Sequence, residues 1–186
     1  MVNKTIKTWK GLVKEYKRCS EDVQQYFPHL SALLAEFPLD VCLSYVFARM
    51  ELGQNMALYC GLRKIHKAES GLAHKAIDAF HITREGFREK FKIVFGVYPA
   101  KGAQADLDTA SEVRDAVMHG KGATKAQMRN AIAAVLWYAE EMNEQVRKKA
   151  GFMPYCQDLR GFTGRGEALD KATTRWMLKG MGFELG

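Results

Sequence analysis

The chain lacks the features that mark secreted, membrane-spanning and disulfide-rich proteins. In its 186 residues, no stretch is long and uncharged enough to cross a bilayer, and the N-terminus has neither the apolar core nor the cleavage site of a secretory signal. The four cysteines are scattered, with no Cys-x-x-Cys pair. We therefore expect reduced thiols, three of them in or near the core, in a cytoplasmic protein that does not associate with a membrane. The cysteines are Cys19, Cys42, Cys60 and Cys156.

Strand-like alternation of apolar and polar residues is also missing, whereas helical periodicity recurs along the chain. This periodicity predicts a basic amphipathic helix over residues 3–19 and a strongly apolar helix, near the centre of a bundle, over residues 38–67. It also predicts a further helix over residues 71–95. The inner face of this last helix is predicted to carry Phe80, Phe87, Phe91 and Val94. The fold class that follows is all-α, an up-and-down helical bundle.

The region after residue 150 has a different composition, with a proline and several glycines in a short stretch. We expect one bundle domain over residues 1–150 and an irregular C-terminal tail over 151–186, with a short helix from Glu167 to Lys179. The tail glycines follow no predicted strand and so do not form a phosphate loop. No serine or cysteine lies in a recognisable nucleophile motif either, and we expect no cofactor.

Two capping boxes divide the middle of the chain. Thr109-Ala110-Ser111-Glu112 predicts a short helix that runs to about Met118, preceded by a loop over residues 97–108. Thr124-Lys125-Ala126-Gln127 predicts the start of a long helix that ends at Gly151. The steps of four and three between its apolar residues indicate a seam that faces the bundle. These residues are Met128, Ile132, Val135, Ala139, Met142 and Val146.

The short helix is predicted to end with the heptapeptide Arg114-Asp115-Ala116-Val117-Met118-His119-Gly120. Arginine is a permanent cation with a planar fork that suits phosphate, and histidine can take and give a proton near neutrality. Together they can cut RNA without a metal, if the histidine deprotonates a ribose 2′-hydroxyl and the arginine neutralises charge on the phosphorane. Such a reaction leaves a 2′,3′-cyclic phosphate.

The spacing of this pair constrains how it can work. Positions five apart on an ideal helix point about 140° away from each other, so Arg114 and His119 cannot share a substrate in the middle of a helix. Gly120 is expected to cap the helix and leave His119 in a frayed last turn, with Asp115 on the same face to orient its ring. The structural alternative is that His119 only complements the helix dipole and Arg114 only pairs with a neighbouring acid.

The motif and the capped helix after it resemble the HEPN family (higher eukaryotes and prokaryotes nucleotide-binding). The likeness is carried by Arg114, Asp115 and His119 and covers residues 108–146, whereas residues 38–96 fit only as generic bundle helices. The resemblance implies an up-and-down bundle and a metal-independent endoribonuclease, often a toxin or defence effector. It also implies a homodimer in which two motifs share one cleft.

Net charge is +7, and the excess lies at the two ends of the chain. A basic surface of this kind favours a polyphosphate partner such as RNA, through release of counterions. A solvated lysine face is the alternative, and a membrane-surface helix over residues 3–19 is a weaker one. The predicted RNA contacts are Lys4, Lys7, Lys14, Lys121, Lys125 and Arg129.

A second constellation offers a metal-dependent alternative. His74, Asp78, His81 and Glu85 follow at steps of four, three and four, which places them on one face of the helix predicted over 71–95. The facing helix supplies few matching ligands, so a solvated polar stripe is the favoured interpretation.

The sequence therefore predicts a metal-independent endoribonuclease that contacts RNA and acts as a homodimer with a composite active site. In this hypothesis His119 is the general base, Arg114 contacts the phosphate and transition state, and Asp115 is the orienter. An antitoxin or regulatory protein is a further expected partner. The competing hypothesis is a non-catalytic helical module that binds RNA, a nucleotide or a protein.

Overall fold

The computed structural model describes residues 5–79, 83–163 and 166–185, and these form an all-α helical bundle, as predicted. Within these ranges there are nine helices and no strand. None of the helices in the described ranges is long and apolar enough to span a membrane. They are α1 (Trp9–Arg18), α2 (Glu21–Tyr26), α3 (Leu30–Glu36), α4 (Leu39–Lys64), α5 (Ser70–Asp78), α6 (Arg84–Phe95), α7 (Lys101–Met118), α8 (Lys125–Ala150) and α9 (Lys171–Gly180).

Helices α4 and α8 form the centre of the bundle. Helix α8 packs against α7, α4 and α1, and α4 packs against α3, α5 and α6. The predicted seam of α8 is confirmed, because five of its six residues are buried and Met128 is half-buried. The predicted capping box is also confirmed: the Thr124 hydroxyl accepts from the Gln127 backbone N–H, and the Gln127 side chain accepts from that of Thr124.

Helix α1 begins later than the sequence predicts. The side chain of Thr8 accepts a hydrogen bond from the Gly11 backbone N–H at 3.1 Å and caps the helix at Trp9. The preceding residues lie across α8, where the backbone N–H of Ile6 donates to Asn130 Oδ1 at 2.7 Å. Burial of the Ile6 side chain accompanies this contact. The prediction of helix over residues 5–8 was therefore wrong, because a long-range contact holds this segment.

The single helix predicted over residues 71–95 is two helices, α5 and α6. The Thr83 hydroxyl accepts from the Gly86 backbone N–H at 3.0 Å and caps a new helix that begins at Arg84. Of the predicted inner face, Phe87, Phe91 and Val94 are buried, and Phe80 lies outside the described residues. The periodicity continued across the break, so it could not reveal a second helix start.

The short helix predicted to start at residue 109 is the second half of α7, which begins at Lys101. The Ser111 hydroxyl donates to the Leu107 carbonyl at 2.8 Å, and the Thr109 hydroxyl donates to the Ala105 carbonyl at 3.3 Å. These hydroxyls bond the preceding turn instead of capping a helix. Burial of Ala103 and Leu107 accompanies the extra turns, so the loop predicted over residues 97–108 was largely wrong.

The segment after Gly151 completes the core. Tyr155 is fully buried: its hydroxyl donates to the Met50 carbonyl at 3.1 Å, and its backbone pairs with both side-chain polar atoms of Asn143, at 2.7 and 2.8 Å. The short helix predicted from Glu167 is confirmed as α9, although it begins at Lys171 because Asp170 caps it.

All four cysteines are buried and unbridged, one more buried thiol than predicted. Burial raises the pKa of the Cys19 and Cys60 thiols to about 12. A thiol whose pKa is higher in the folded state favours folding while it stays protonated. Its contribution to stability is therefore complete below the unfolded pKa, roughly 8.5, and is lost as the pH rises towards 12.

We expect a thiol reagent such as iodoacetamide, at pH 8, to modify the folded protein far more slowly than the urea-unfolded chain. Mass spectrometry after timed labelling measures this difference. Rapid labelling of Cys19 or Cys60 in the folded state would contradict the burial of these two thiols.

Candidate active site

Arg114 projects from α7 towards α4. Its Nη2 lies 3.3 Å from Glu51 Oε1, and its Nη1 lies 3.1 Å from Asp115 Oδ1. The guanidinium carbon stands 5.8 Å from the centroid of the Phe47 ring. With 36 % of its side chain exposed, the arginine is held in place by two carboxylates yet is open to a ligand from solvent.

A cavity of about 230 Å³ lies beside Arg114, between α4 and α7. Gln54, Gln104 and Ser111 contribute to its polar lining, together with Glu51, Arg114 and Asp115. Gln104 Nε2 donates to Asp108 Oδ1 at 3.0 Å, while its Oε1 is buried without a hydrogen-bond partner in the described part of the chain. The cavity wall is therefore rich in acceptors and suits a small ligand that donates hydrogen bonds.

His119 lies at the C-terminal cap of α7, and the predicted helix end is confirmed. The backbone N–H of Lys121 donates to the Ala116 carbonyl at 2.9 Å and that of Gly120 to the Val117 carbonyl at 3.1 Å. Gly120 has a φ of +70°, so this turn is a Schellman motif that requires glycine. The imidazole of His119 is exposed, and within residues 5–79, 83–163 and 166–185 its ring makes no hydrogen bond or ion pair.

The structure does not bring Arg114 and His119 together within one chain. Arg114 lines the cavity against α4, whereas His119 is not among the residues that line it. Met118, next to His119, reaches Ser44 near the start of α4, with 3.7 Å between the Met118 Sδ and Ser44 Oγ atoms. The Asp115 carboxylate accepts a hydrogen bond from Arg114. One chain therefore presents the two halves of the motif at separate places.

Arg129 supports the fold directly. Its guanidinium is half-buried and donates to the backbone carbonyls of Ile6 and Lys7, at 3.0 and 2.7 Å. These bonds hold the N-terminal segment against α8. A role for Arg129 in RNA binding stays a prediction, and the contact with Ile6 that gives it this structural role cannot be read from local sequence.

The other predicted RNA contacts within the described residues are exposed. The bonds from Arg129 place Lys7 beside the first turns of α8, where Lys125 lies one helical turn before Arg129. Lys121 follows His119 by two residues, and Lys14 lies further along α1. Lys4 lies outside the described residues. Lys121 and Lys125 thus follow His119 as exposed cations.

A second, wider cavity of about 780 Å³ lies between α7 and α8. Many of its walls are small side chains, among them Ala105, Ala116 and Ala134, and it reaches the turn at Gly122. Sequence reasoning missed this groove, although alanines on facing helices were the available signal. It leaves one side of the motif helix open.

The alternative metal constellation is not assembled as predicted. Helix α5 ends at Asp78, and Glu85 belongs to α6, so the four residues do not share one helix. His74 Nε2 lies 3.4 Å from Asp78 Oδ2, and both side chains are largely exposed. His81 lies outside the described residues. Among the residues that are described, no group of three or more His, Cys, Asp or Glu is placed to hold a metal ion.

Comparisons of the chain with protein-family models, curated proteins and solved structures found no match. The likeness to the HEPN family therefore rests on the motif and the helical fold alone. What the geometry offers is an exposed histidine, followed in the chain by exposed cations, and an accessible, ion-paired arginine on the same helix.

Proposed function

We propose that this protein is a metal-independent endoribonuclease of the HEPN type that acts as a homodimer. The observation that carries the proposal is the setting of His119. Its ring is exposed and has no hydrogen-bond or ion-pair partner within the described residues, and the exposed cations Lys121 and Lys125 follow it in the sequence. A histidine in this setting is available for proton transfer beside a bound polyanion.

In the proposed reaction, a ribose 2′-oxygen attacks the adjacent phosphorus while its proton passes to His119. The bond from phosphorus to the 5′-oxygen breaks, and the leaving oxygen takes a proton from the imidazolium or from water. The products are a 2′,3′-cyclic phosphate and a 5′-hydroxyl. Arg114 stabilises the negative charge that grows on the phosphorane, where a fixed cation contributes most.

A homodimer can bring an Arg114 and a His119 side chain together although they diverge within one chain. Because Arg114 and His119 diverge along α7, we propose that the His119 of one chain works beside the Arg114 of the other. A two-fold axis would bring the two copies of α7 together and create two equivalent sites. The open groove between α7 and α8, with its small side chains, allows the close approach of a second chain.

The alternative function is a non-catalytic module, and the contacts of Arg114 favour it. Its guanidinium pairs with Glu51 and Asp115 within the chain, as expected for a structural arginine. The unpaired acceptor of Gln104 in the adjacent cavity suits a small donor ligand such as a nucleobase. In this alternative, RNA or nucleotide is bound and not cut.

Replacing Arg114 separates the two functions. Its ion pairs are more than one-third exposed, so Arg114→Ala is expected to change the free energy of unfolding by less than about 1 kcal/mol. The nuclease proposal expects RNA cleavage to fall by at least about 100-fold, with partial activity in Arg114→Lys. Urea unfolding and a labelled-RNA assay measure the two quantities.

Arg18→Ala is the matched control for this experiment, because Arg18 also forms an exposed ion pair, with Glu15 at 2.7 Å, but lies at the end of α1. It is expected to keep full activity. Unchanged cleavage by a folded Arg114→Ala protein would contradict the nuclease proposal, and a loss of several kcal/mol would assign Arg114 to the fold.

An unrestrained nuclease would damage the RNA of its own cell. We therefore also propose an antitoxin or regulatory protein as a partner, without assigning its surface.

A further inference from the structure

Trp176 on α9 is the most exposed of the large apolar side chains within the described residues, at 80 %. The other exposed apolar side chains of that group range from 40 to 60 %. A tryptophan ring that stays in water does not gain the favourable free energy of burying its apolar surface. Exposed aromatic groups are common where a ligand binds.

The orientation of α9 is fixed, so Trp176 stays on the outside. Thr174 and Leu178 are fully buried on the opposite face. The Thr174 hydroxyl accepts from the Glu69 backbone N–H at 3.0 Å, which ties the helix to the start of α5. Residues two apart on a helix point about 160° away from each other, to nearly opposite sides. Trp176 is two residues from each of these anchors.

The helical neighbours of Trp176 leave its ring uncovered. The residues three and four positions away are Ala172, Thr173, Lys179 and Gly180. Alanine and glycine are too short to cover an indole, and none of the four extends the apolar surface. Among these four neighbours, the ring of Trp176 has no apolar side chain larger than alanine beside it.

The charged side chains within α9 are all cations. Lys171, Arg175 and Lys179 are exposed on α9, and the helix contains no acidic residue. The carboxylate of Asp170 at the N-cap is engaged by the Ala172 and Thr173 backbone N–H groups and by the Thr173 hydroxyl. The surface thus combines one stacking ring with two nearby cations, Arg175 and Lys179, whereas Lys171, five positions before Trp176, points about 140° away from it.

These features favour single-stranded nucleic acid over other partners. A protein interface buries a cluster of apolar and aromatic side chains, and a membrane-surface helix needs a continuous apolar face. A strand of unpaired bases needs only a ring on which a base can stack and cations for the flanking phosphates. The surface of α9 provides this combination.

We propose that α9 binds a single-stranded segment of the RNA, with a base stacked on Trp176 and phosphates paired with Arg175 and Lys179. This inference rests on the proposed function and adds an RNA-binding site remote from the motif. The start of α9 lies near the C-terminal end of α4, because the Leu169 N–H donates to the Lys67 carbonyl at 2.8 Å. From Glu51 to Lys64 the axis of α4 covers about 20 Å, so only an RNA of several nucleotides can reach both sites.

The test measures RNA affinity in the His119→Ala background, so that the RNA stays intact. The probe is an unstructured, fluorescently labelled RNA of about 12 nucleotides, within the usual range for a single-strand site, at one fixed salt concentration. Trp176→Ala is expected to weaken binding about tenfold and Trp176→Phe about threefold or less, because phenylalanine can still stack. Ile93→Ala, which removes another exposed apolar side chain, on α6, is expected to leave the affinity unchanged.

A trinucleotide is the second probe. It is too short to span the two sites, so it should bind more weakly than the longer RNA, and its binding to α9 should still be lowered by Trp176→Ala. Equal binding of the longer RNA by the Trp176→Ala protein and its parent would overturn the inference. Trp176-dependent binding to vesicles of anionic phospholipid, with RNA binding unaffected, would overturn it in favour of a membrane surface. Because no cleavage is needed, failure of the nuclease proposal would be seen separately, as intact RNA with the native chain.

Discussion

Replacing His119 with alanine is expected to lower the rate of RNA cleavage by about 100- to 10,000-fold, the usual contribution of a general base. The imidazole is exposed at the end of α7 and makes no hydrogen bond or ion pair with the described residues, so its removal should not disturb the fold. The measurement is the initial rate of cleavage of a labelled RNA, with the unfolding midpoint in urea as the check on folding.

His74 provides the matched control for this variant. It is also an exposed histidine, but it lies on α5 and pairs with Asp78. His74→Ala should cut RNA at the native rate. If the two variants lost activity equally, or if His119→Ala retained it, His119 would not be the general base.

Replacing Gly53 with alanine is expected to destabilise the protein by about 3 kcal/mol, the upper part of the usual range for overpacking. A Cβ at this position would lie 2.2 Å from Tyr155 Cε1. The ring cannot move aside freely, because its hydroxyl is bonded to the Met50 carbonyl and its backbone to Asn143. Urea unfolding of the variant measures the loss.

Gly180→Ala is the control for this second substitution. Nothing lies within 4 Å of a Cβ at Gly180, the last residue of α9. The change should be neutral or slightly stabilising, since alanine favours a helix over glycine. An unchanged unfolding midpoint for Gly53→Ala would contradict the packing of residues 151–163 against α4.

Helices whose start, seam and end are all encoded locally could be predicted from the sequence. Helix α8 is the best example, because Thr124 begins it, a regular apolar seam continues it and Gly151 ends it. Helix α7 was only half predicted. The residues Thr109 to Glu112 have the pattern of a capping box, but hydroxyl groups can also bond the preceding turn inside a helix. Burial of Leu107 decides between the two, and that depends on the rest of the bundle.

The candidate site was predictable only where it depends on neighbouring residues. The helix end at His119 followed from Gly120, whereas the pairing of Arg114 with Glu51 joins residues 63 positions apart. The one available signal was an acidic residue within the strongly apolar α4. The exposure of Trp176 had no local signal either, because only the anchoring of Thr174 against α5 shows which face of α9 is outside.

The most direct test of the central claim is the treatment of an end-labelled, mixed RNA pool with the native protein in EDTA, compared with His119→Ala. We predict cleavage by the native protein alone, with products that end in 2′,3′-cyclic phosphate. No cleavage by the native protein, or cleavage that needs a metal ion and leaves 3′-hydroxyl ends, would contradict the assignment of a metal-independent nuclease.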